Sequence, residues 1–291
     1  MRKLVLVHGR SQEGKDPEQL KWTWVQALKE GLAKSGLTLP VAYEDIAFPY
    51  YGDAIDKLIY GEQESATDVI TRGAPEDTEE LRFKVEMLEA FREKLNITDE
   101  MVLEASEDPT IERGPLNWAW VQGIMSAFDR YAPHVSGTTA NLVTHDVYLY
   151  LKRPGVRDEV DNIVRSTMPD GEEMVVVGHS LGSVVTYSVL KRDEAKLKVP
   201  LHVTVGSPLG LRLIQDAFNP VKSPACVSAW FNAMDPRDFV ALYPLEPPRF
   251  NVSPRVENKT DVDNFTSNRH GIVGYLSDKD VAQKIHAALT A

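Results

Sequence analysis

The chain alternates short apolar runs with longer amphipathic stretches, and the alternation is interrupted once. Lys3-Leu4-Val5-Leu6-Val7 is an apolar run of strand length that ends at His8-Gly9-Arg10. A helix is expected over residues 18–34. Asp16 is placed to cap it, Pro17 suits its first position, Gln19 follows the cap by three, and Gly36 ends it. Residues 41–48 predict a second strand, followed by an aromatic loop, Phe48-Pro49-Tyr50-Tyr51-Gly52-Asp53. From about 54 to 140 no central-strand pattern occurs. Residues 78–95 and 116–131 carry apolar side chains at helical spacing, so this block predicts a helical cap insertion. The rhythm resumes near Asp146. A helix over 156–168 leads to strands at 174–177, 201–205 and 227–233 and around 255–262. Helices are expected at 181–190 and at 277–289, where Val281, Ile285 and Leu289 stand four apart. The pattern predicts a single α/β domain over residues 1–291, with a mostly parallel central sheet flanked by helices.

One stretch adds candidate chemistry to this framework. Gly178-His179-Ser180-Leu181-Gly182 spells G-x-S-x-G between a β-branched apolar run and an apolar helix. The pattern alone arises by chance in about one chain of this length in ten. Strand before and helix after are the context that gives it meaning, because a turn this sharp projects the Ser180 hydroxyl past the sheet end. Gly178 and Gly182 remove the Cβ atoms that would clash in so tight a bend.

Composition narrows the classes. Hydrophobic residues make up 43% and charged residues 26%, a globular profile. No apolar run approaches the ~20 residues of a membrane span, so no stable membrane insertion is expected. The N-terminal MRKLVLVHGR reads as a core strand, since its apolar run is too short for a signal peptide and no small-residue cleavage site follows. A single cysteine, Cys226, forms no internal disulfide and points to a reducing, cytoplasmic setting. The net charge of −11 offers no basic footprint for nucleic acid.

A serine hydroxyl needs a base to take its proton and an acid to orient that base. On a strand-helix framework of this kind the order along the chain is serine, acid, histidine. His270 is the one histidine expected between the last strand and the closing helix, and so the candidate base. Asp238 and Asp235 both follow the 227–233 strand. Asp238 is favoured as the acid, and Asp235, before Pro236, is the alternative. The negative charge of a tetrahedral intermediate calls for waiting backbone N–H groups. Leu181 at the helix start supplies one candidate, and Gly9 or Arg10 after the first strand the second. His8 reads as a structural support for that loop, and Ser207, followed by Pro208, as a turn residue. Leu116-Asn117-Trp118-Ala119-Trp120-Val121-Gln122 echoes Leu20-Lys21-Trp22-Thr23-Trp24-Val25-Gln26. Both read as apolar helix faces on the core. A second reading places Trp118 and Trp120, with Tyr50 and Tyr51, along a substrate cleft.

At residues 178–183 (GHSLGS), 205–209 (VGSPL), 238–240 (Asp-Phe-Val) and His270 with Tyr275-Leu276 after it, the chain resembles the α/β-hydrolase superfamily, and within it the lipase-like serine esterases. The resemblance covers about 1–53 and 146–291 and leaves the insertion unmatched. It implies hydrolysis of small-molecule or lipid-like acyl esters by Ser180, His270 and Asp238, with no metal and no cofactor. An acyltransferase using the same three residues, or a non-catalytic binding protein on that fold, are the alternatives. A P-loop is a weaker rival. Residues 9–16 (GRSQEGKD) nearly fit G-x-x-x-x-G-K-[ST], but Asp16 stands where a magnesium-binding hydroxyl is required.

Overall fold

The computed structural model describes residues 2–10, 12, 14–60, 77–106, 108, 110–114 and 116–291. By contact the chain divides into two units, Met1–Ile55 with Asp158–Ala291, and Asp56–Arg157.

The first unit is an α/β unit built on six parallel strands. These are β1 (Lys3–Val7), β2 (Ile46–Ala47), β3 (Glu173–His179), β4 (Lys198–Val205), β5 (Trp230–Ala233) and β6 (Glu257–Lys259), in the spatial order β2-β1-β3-β4-β5-β6. Central strands of a parallel sheet are covered on both faces, which is why β1 and β3 read as unbroken apolar runs. On one face Leu4, Leu6, Val175, Val177, Leu201, Val203 and Phe231 pack with Val25 and Leu28 of helix Pro17–Ala33 and with Val281 and Ile285 of helix Lys279–Thr290. The two-residue step along each strand and the three-to-four-residue step along each helix meet in one core. Each such side chain contributes roughly 1.5–3 kcal/mol of apolar burial. Helix Leu181–Arg192 packs against β3 and β1 and buries every residue from Leu181 to Leu190.

Asp16 caps helix Pro17–Ala33, its Oδ1 accepting N–H bonds from Glu18 at 2.8 Å and Gln19 at 3.4 Å. Two positions of the near-P-loop run, Ser11 and Glu13, lie outside the described residues. The expected strand at 41–48 is largely replaced. Tyr43–Asp45 forms a 3-10 turn, and only Leu4↔Ile46 and Val5↔Ala47 pair with β1. Glu44 and Asp45 are poor strand residues, and an edge position offers them one hydrogen-bonding neighbour. The aromatic loop is also shorter than expected, because a helix starts at Gly52.

Within the second unit, the described residues include helices Thr78–Lys94, Asp99–Ala105, Trp118–Tyr131 and Gly137–Lys152. Leu88, Phe91, Val102, Val121, Ile124 and Phe128 are buried among them. The unit runs to Arg157, beyond the expected end near 140, because Gly137–Lys152 packs on Thr78–Lys94 and Trp118–Tyr131. Glu80 is buried there between Lys84 Nζ at 3.1 Å and His145 Nδ1 at 2.7 Å. Among the described residues no helix is long and apolar enough to cross a membrane.

Candidate active site

Because the strands are parallel, their C-terminal ends lie on one side of the sheet, where ligands of open α/β sheets bind. Register fixes the neighbours there. Val7 pairs with Gly178, and His179 with Val205, so the loops after β1, β3 and β4 lie side by side. The turn after β3 needs its glycines. A Cβ on Gly182 would stand 2.3 Å from His8 O, and one on Gly178 would stand 2.7 Å from Gly182 O.

Ser180 sits at the apex with φ 53° and ψ −127°, a conformation costing an L residue about 1–3 kcal/mol. Three described non-glycine residues have positive φ: Asn96, Ser180 and Arg269. Two of them belong to this site, since Arg269 precedes His270. Ser180 N–H donates to Val205 O at 3.1 Å, and Ser183 Oγ lies 2.5 Å from Ser180 O and 2.7 Å from Ser207 Oγ. Ser207 Oγ also accepts Leu209 N–H, so this serine caps a turn. Leu181 is the first helical residue, and its N–H belongs to the positive helix terminus. A Cβ on Gly9 would lie 2.9 Å from Ser180 Cβ and 3.4 Å from Oγ, so only glycine lets the β1 loop approach so closely. Arg10 follows it and is buried.

Asp238 and His270 are joined. His270 Nδ1–H donates to Asp238 Oδ2 at 2.7 Å, and the carboxylate is fully buried. Tyr275 O–H donates to the same Oδ2 at 2.6 Å, while Oδ1 accepts N–H bonds from Val240 at 2.8 Å and Ala241 at 3.3 Å. Burial works against ionisation of Asp238. The His270 charge and these donors outweigh it and hold the carboxyl below the usual aspartate range. The His270 ring packs 4.7 Å from that of His179, the neighbour of Ser180, and His179 Nε2–H donates to His270 O at 2.8 Å.

Asp235 does different work. Its Oδ1 accepts Arg237 N–H at 2.7 Å, and its Oδ2 accepts Asn264 N–H at 2.8 Å. Asn264 Nδ2 then donates to Gly271 O, and Asn268 Oδ1 accepts His270 N–H. Asp235 therefore anchors the loop that carries His270. Asn264 was not singled out by sequence reasoning, since it stands in no recognisable motif. Tyr275 stands in the stretch after His270 that carries the resemblance, but no sequence signal assigned it a role.

Three other histidines are buried supports. His8 Nδ1–H donates to Gly9 O at 2.5 Å, and its Nε2 accepts Tyr51 N–H at 3.2 Å. Burial lowers His8 to about 4, and His179 and His202 each to about 3. All three bind protons more readily when unfolded. Their contribution to stability is present above about pH 6.5 and is lost as pH falls from there toward about 4 for His8 and about 3 for His179 and His202. The urea midpoint is accordingly expected to drop across that interval, and less steeply in His202→Asn. Equal slopes in both proteins would remove His202 from the account.

Two of the four expected cleft aromatics, Tyr51 and Trp120, are enclosed. Tyr51 is fully buried, stacks 4.0 Å from His8, and its hydroxyl bonds His8 O, so it braces the β1 loop. Tyr50 is half-buried, its hydroxyl 2.5 Å from Gln12 O and 2.8 Å from Asp53 Oδ1. Trp120 lies in the interior of the helical unit, where Nε1–H donates to Glu89 at 2.6 Å, and Trp118 is half-buried with Lys84 Nζ 6.0 Å from its ring. Trp120 thus follows the core reading, and Tyr51, expected along the cleft, is buried instead, because an enclosed indole or phenol finds its partner inside. The echoed pair is split: Trp24 is buried and Trp22 exposed. Cys226 is half-buried, with burial raising its thiol to about 11. No known family, curated protein or solved structure matches this chain.

Proposed function

We propose that the chain is a serine hydrolase on an α/β-hydrolase fold, cleaving small-molecule or lipid-like carboxylic esters through an acyl-enzyme. The observation that carries this is the bond between buried Asp238 and His270, in loops at the sheet end where strained Ser180 also sits. The order serine after β3, acid after β5 and histidine after β6 is the order such chemistry takes on this framework.

The steps follow from proton placement. Asp238 holds the proton on His270 Nδ1 and leaves Nε2 as the basic nitrogen. Ser180 Oγ attacks the ester carbonyl carbon while Nε2 takes its proton. The carbonyl oxygen becomes an oxyanion facing the N–H of Leu181 and of Gly9 or Arg10. The tetrahedral intermediate collapses, its C–O bond to the alcohol breaks, and the leaving oxygen takes the proton from Nε2. Water then repeats the sequence on the acyl-serine, releasing the carboxylic acid and restoring Ser180.

The test is exposure to a fluorophosphonate probe, with mass mapping of the adduct, beside a panel of esters of increasing acyl length. The expected result is one adduct, on Ser180, and turnover of at least one ester class. A chain that takes up no probe and turns over no ester is not a serine hydrolase.

A further inference from the structure

Four donors fill the Asp238 carboxylate, and two of them converge on the oxygen that holds His270. Nδ1–H of His270 and O–H of Tyr275 both reach Oδ2, at 2.7 and 2.6 Å. Resting on the hydrolase reading above, we propose that Tyr275 is a positioning residue of this site. Its hydroxyl shares Oδ2 with His270 and sets how firmly the carboxylate holds the imidazole.

A buried phenol needs an acceptor, so a bond by itself would be unremarked. Three features make this one specific. The acceptor is an ionised carboxylate, which makes the bond roughly twice as strong as a neutral one. The phenol oxygen in turn accepts Asp235 N–H at 3.2 Å, tying the acid's loop at both ends. The two rings also share one space. A Cβ on Gly206 would stand 3.0 Å from Tyr275 Cε2 and 3.2 Å from His270 Cε1 and Nδ1. Helix Ile272–Leu276 starts directly after Gly271, so base and phenol are carried on one short, continuous piece of chain.

The consequence is electrostatic. Each hydrogen bond that a carboxylate accepts spreads its negative charge and weakens its hold on a proton. Tyr275 thus helps keep Asp238 ionised in full burial, and keeps Oδ2 from drawing the proton off Nδ1. The other titratable groups acting on the pair are His179 from β3 and Asp235 from the acid's own loop. Neither of them shares Oδ2.

Tyr275→Phe keeps the ring and removes the hydroxyl. In the full chain without substrate, carbon-13 NMR of the Asp238 carboxyl is expected to titrate about half a pH unit or more above wild type. In assays the acid limb of kcat/KM should move up alike, with KM unchanged. Site-specific 3-fluorotyrosine at 275, a stronger donor, should move the carboxyl titration down. That protein carries the test if the phenylalanine variant does not fold. An unmoved titration, or a shift in the same direction for both replacements, overturns the proposal. An unmoved titration in an active esterase removes the Tyr275 role alone. A moved titration in a chain that hydrolyses no ester removes the hydrolase reading and leaves the tyrosine-carboxylate coupling standing.

Discussion

A Ser180→Ala chain is expected to lose about 10⁶ in kcat for ester hydrolysis and to take up no fluorophosphonate. The size of the loss follows from how a triad works: base and acid have nothing to activate once the hydroxyl is gone, and what remains is whatever the backbone donors and binding supply. Stability should move little, because alanine keeps the Cβ and with it the strain at φ 53°. Ser180→Gly separates the two roles. Glycine accepts that φ without steric cost, so this variant should be as inactive as Ser180→Ala yet more stable by about 1 kcal/mol. Activity retained in Ser180→Ala would remove Ser180 as the nucleophile. A glycine variant with a lower urea midpoint than the alanine variant would remove the strain argument.

Asp238→Asn is expected to cost about 10⁴ in kcat. The amide is nearly the same size, so the loop should hold its shape, but a neutral partner neither fixes the proton on His270 Nδ1 nor stabilises the imidazolium. Asp235→Asn should behave differently. Its two oxygens accept N–H bonds from Arg237 and Asn264, which are structural bonds of the histidine loop. Losing their charge-assisted character should cost about 1–3 kcal/mol of stability and less than tenfold in kcat. Side-by-side kcat and urea midpoints for the two variants decide the matter. If Asp235→Asn proved the catalytically damaging change, the acid assignment would pass to Asp235.

How much of this was legible depended on how local the cause was. The strands at 3–7 and 173–179 were readable because burial on both faces leaves no polar alternation to confuse them. A strand over 41–48 was legible too, but its shortening to Ile46–Ala47 was not, because how far it pairs depends on β1 and not on its own sequence. Helix Gly137–Lys152 was missed for a related reason. Its run of threonine, valine and tyrosine favours strands by propensity, and the Ser136 cap together with packing overrides that. Ser180, Asp238 and His270 could be named from chain order. The partners that hold them could not. Asp235 reaches Asn264 across 29 residues, Tyr275 reaches Asp238 across 37, and Tyr51 reaches His8 across 43. No spacing rule connects residues so far apart, and a lone tyrosine or asparagine carries no mark of its eventual partner.

The β1–β3 pairing that seats Gly9 beside Ser180 joins segments about 165 residues apart. Treated as a flexible loop, such a separation costs roughly 4–5 kcal/mol in closure entropy, growing only with the logarithm of length. If the helical unit, Asp56–Arg157, counts as a single link, the remaining loop is about 60 residues and the cost falls by less than about 1 kcal/mol. An insertion of a hundred residues is therefore almost free to the folded sheet. Its burden is kinetic, because the two central strands must find each other late and over a long search.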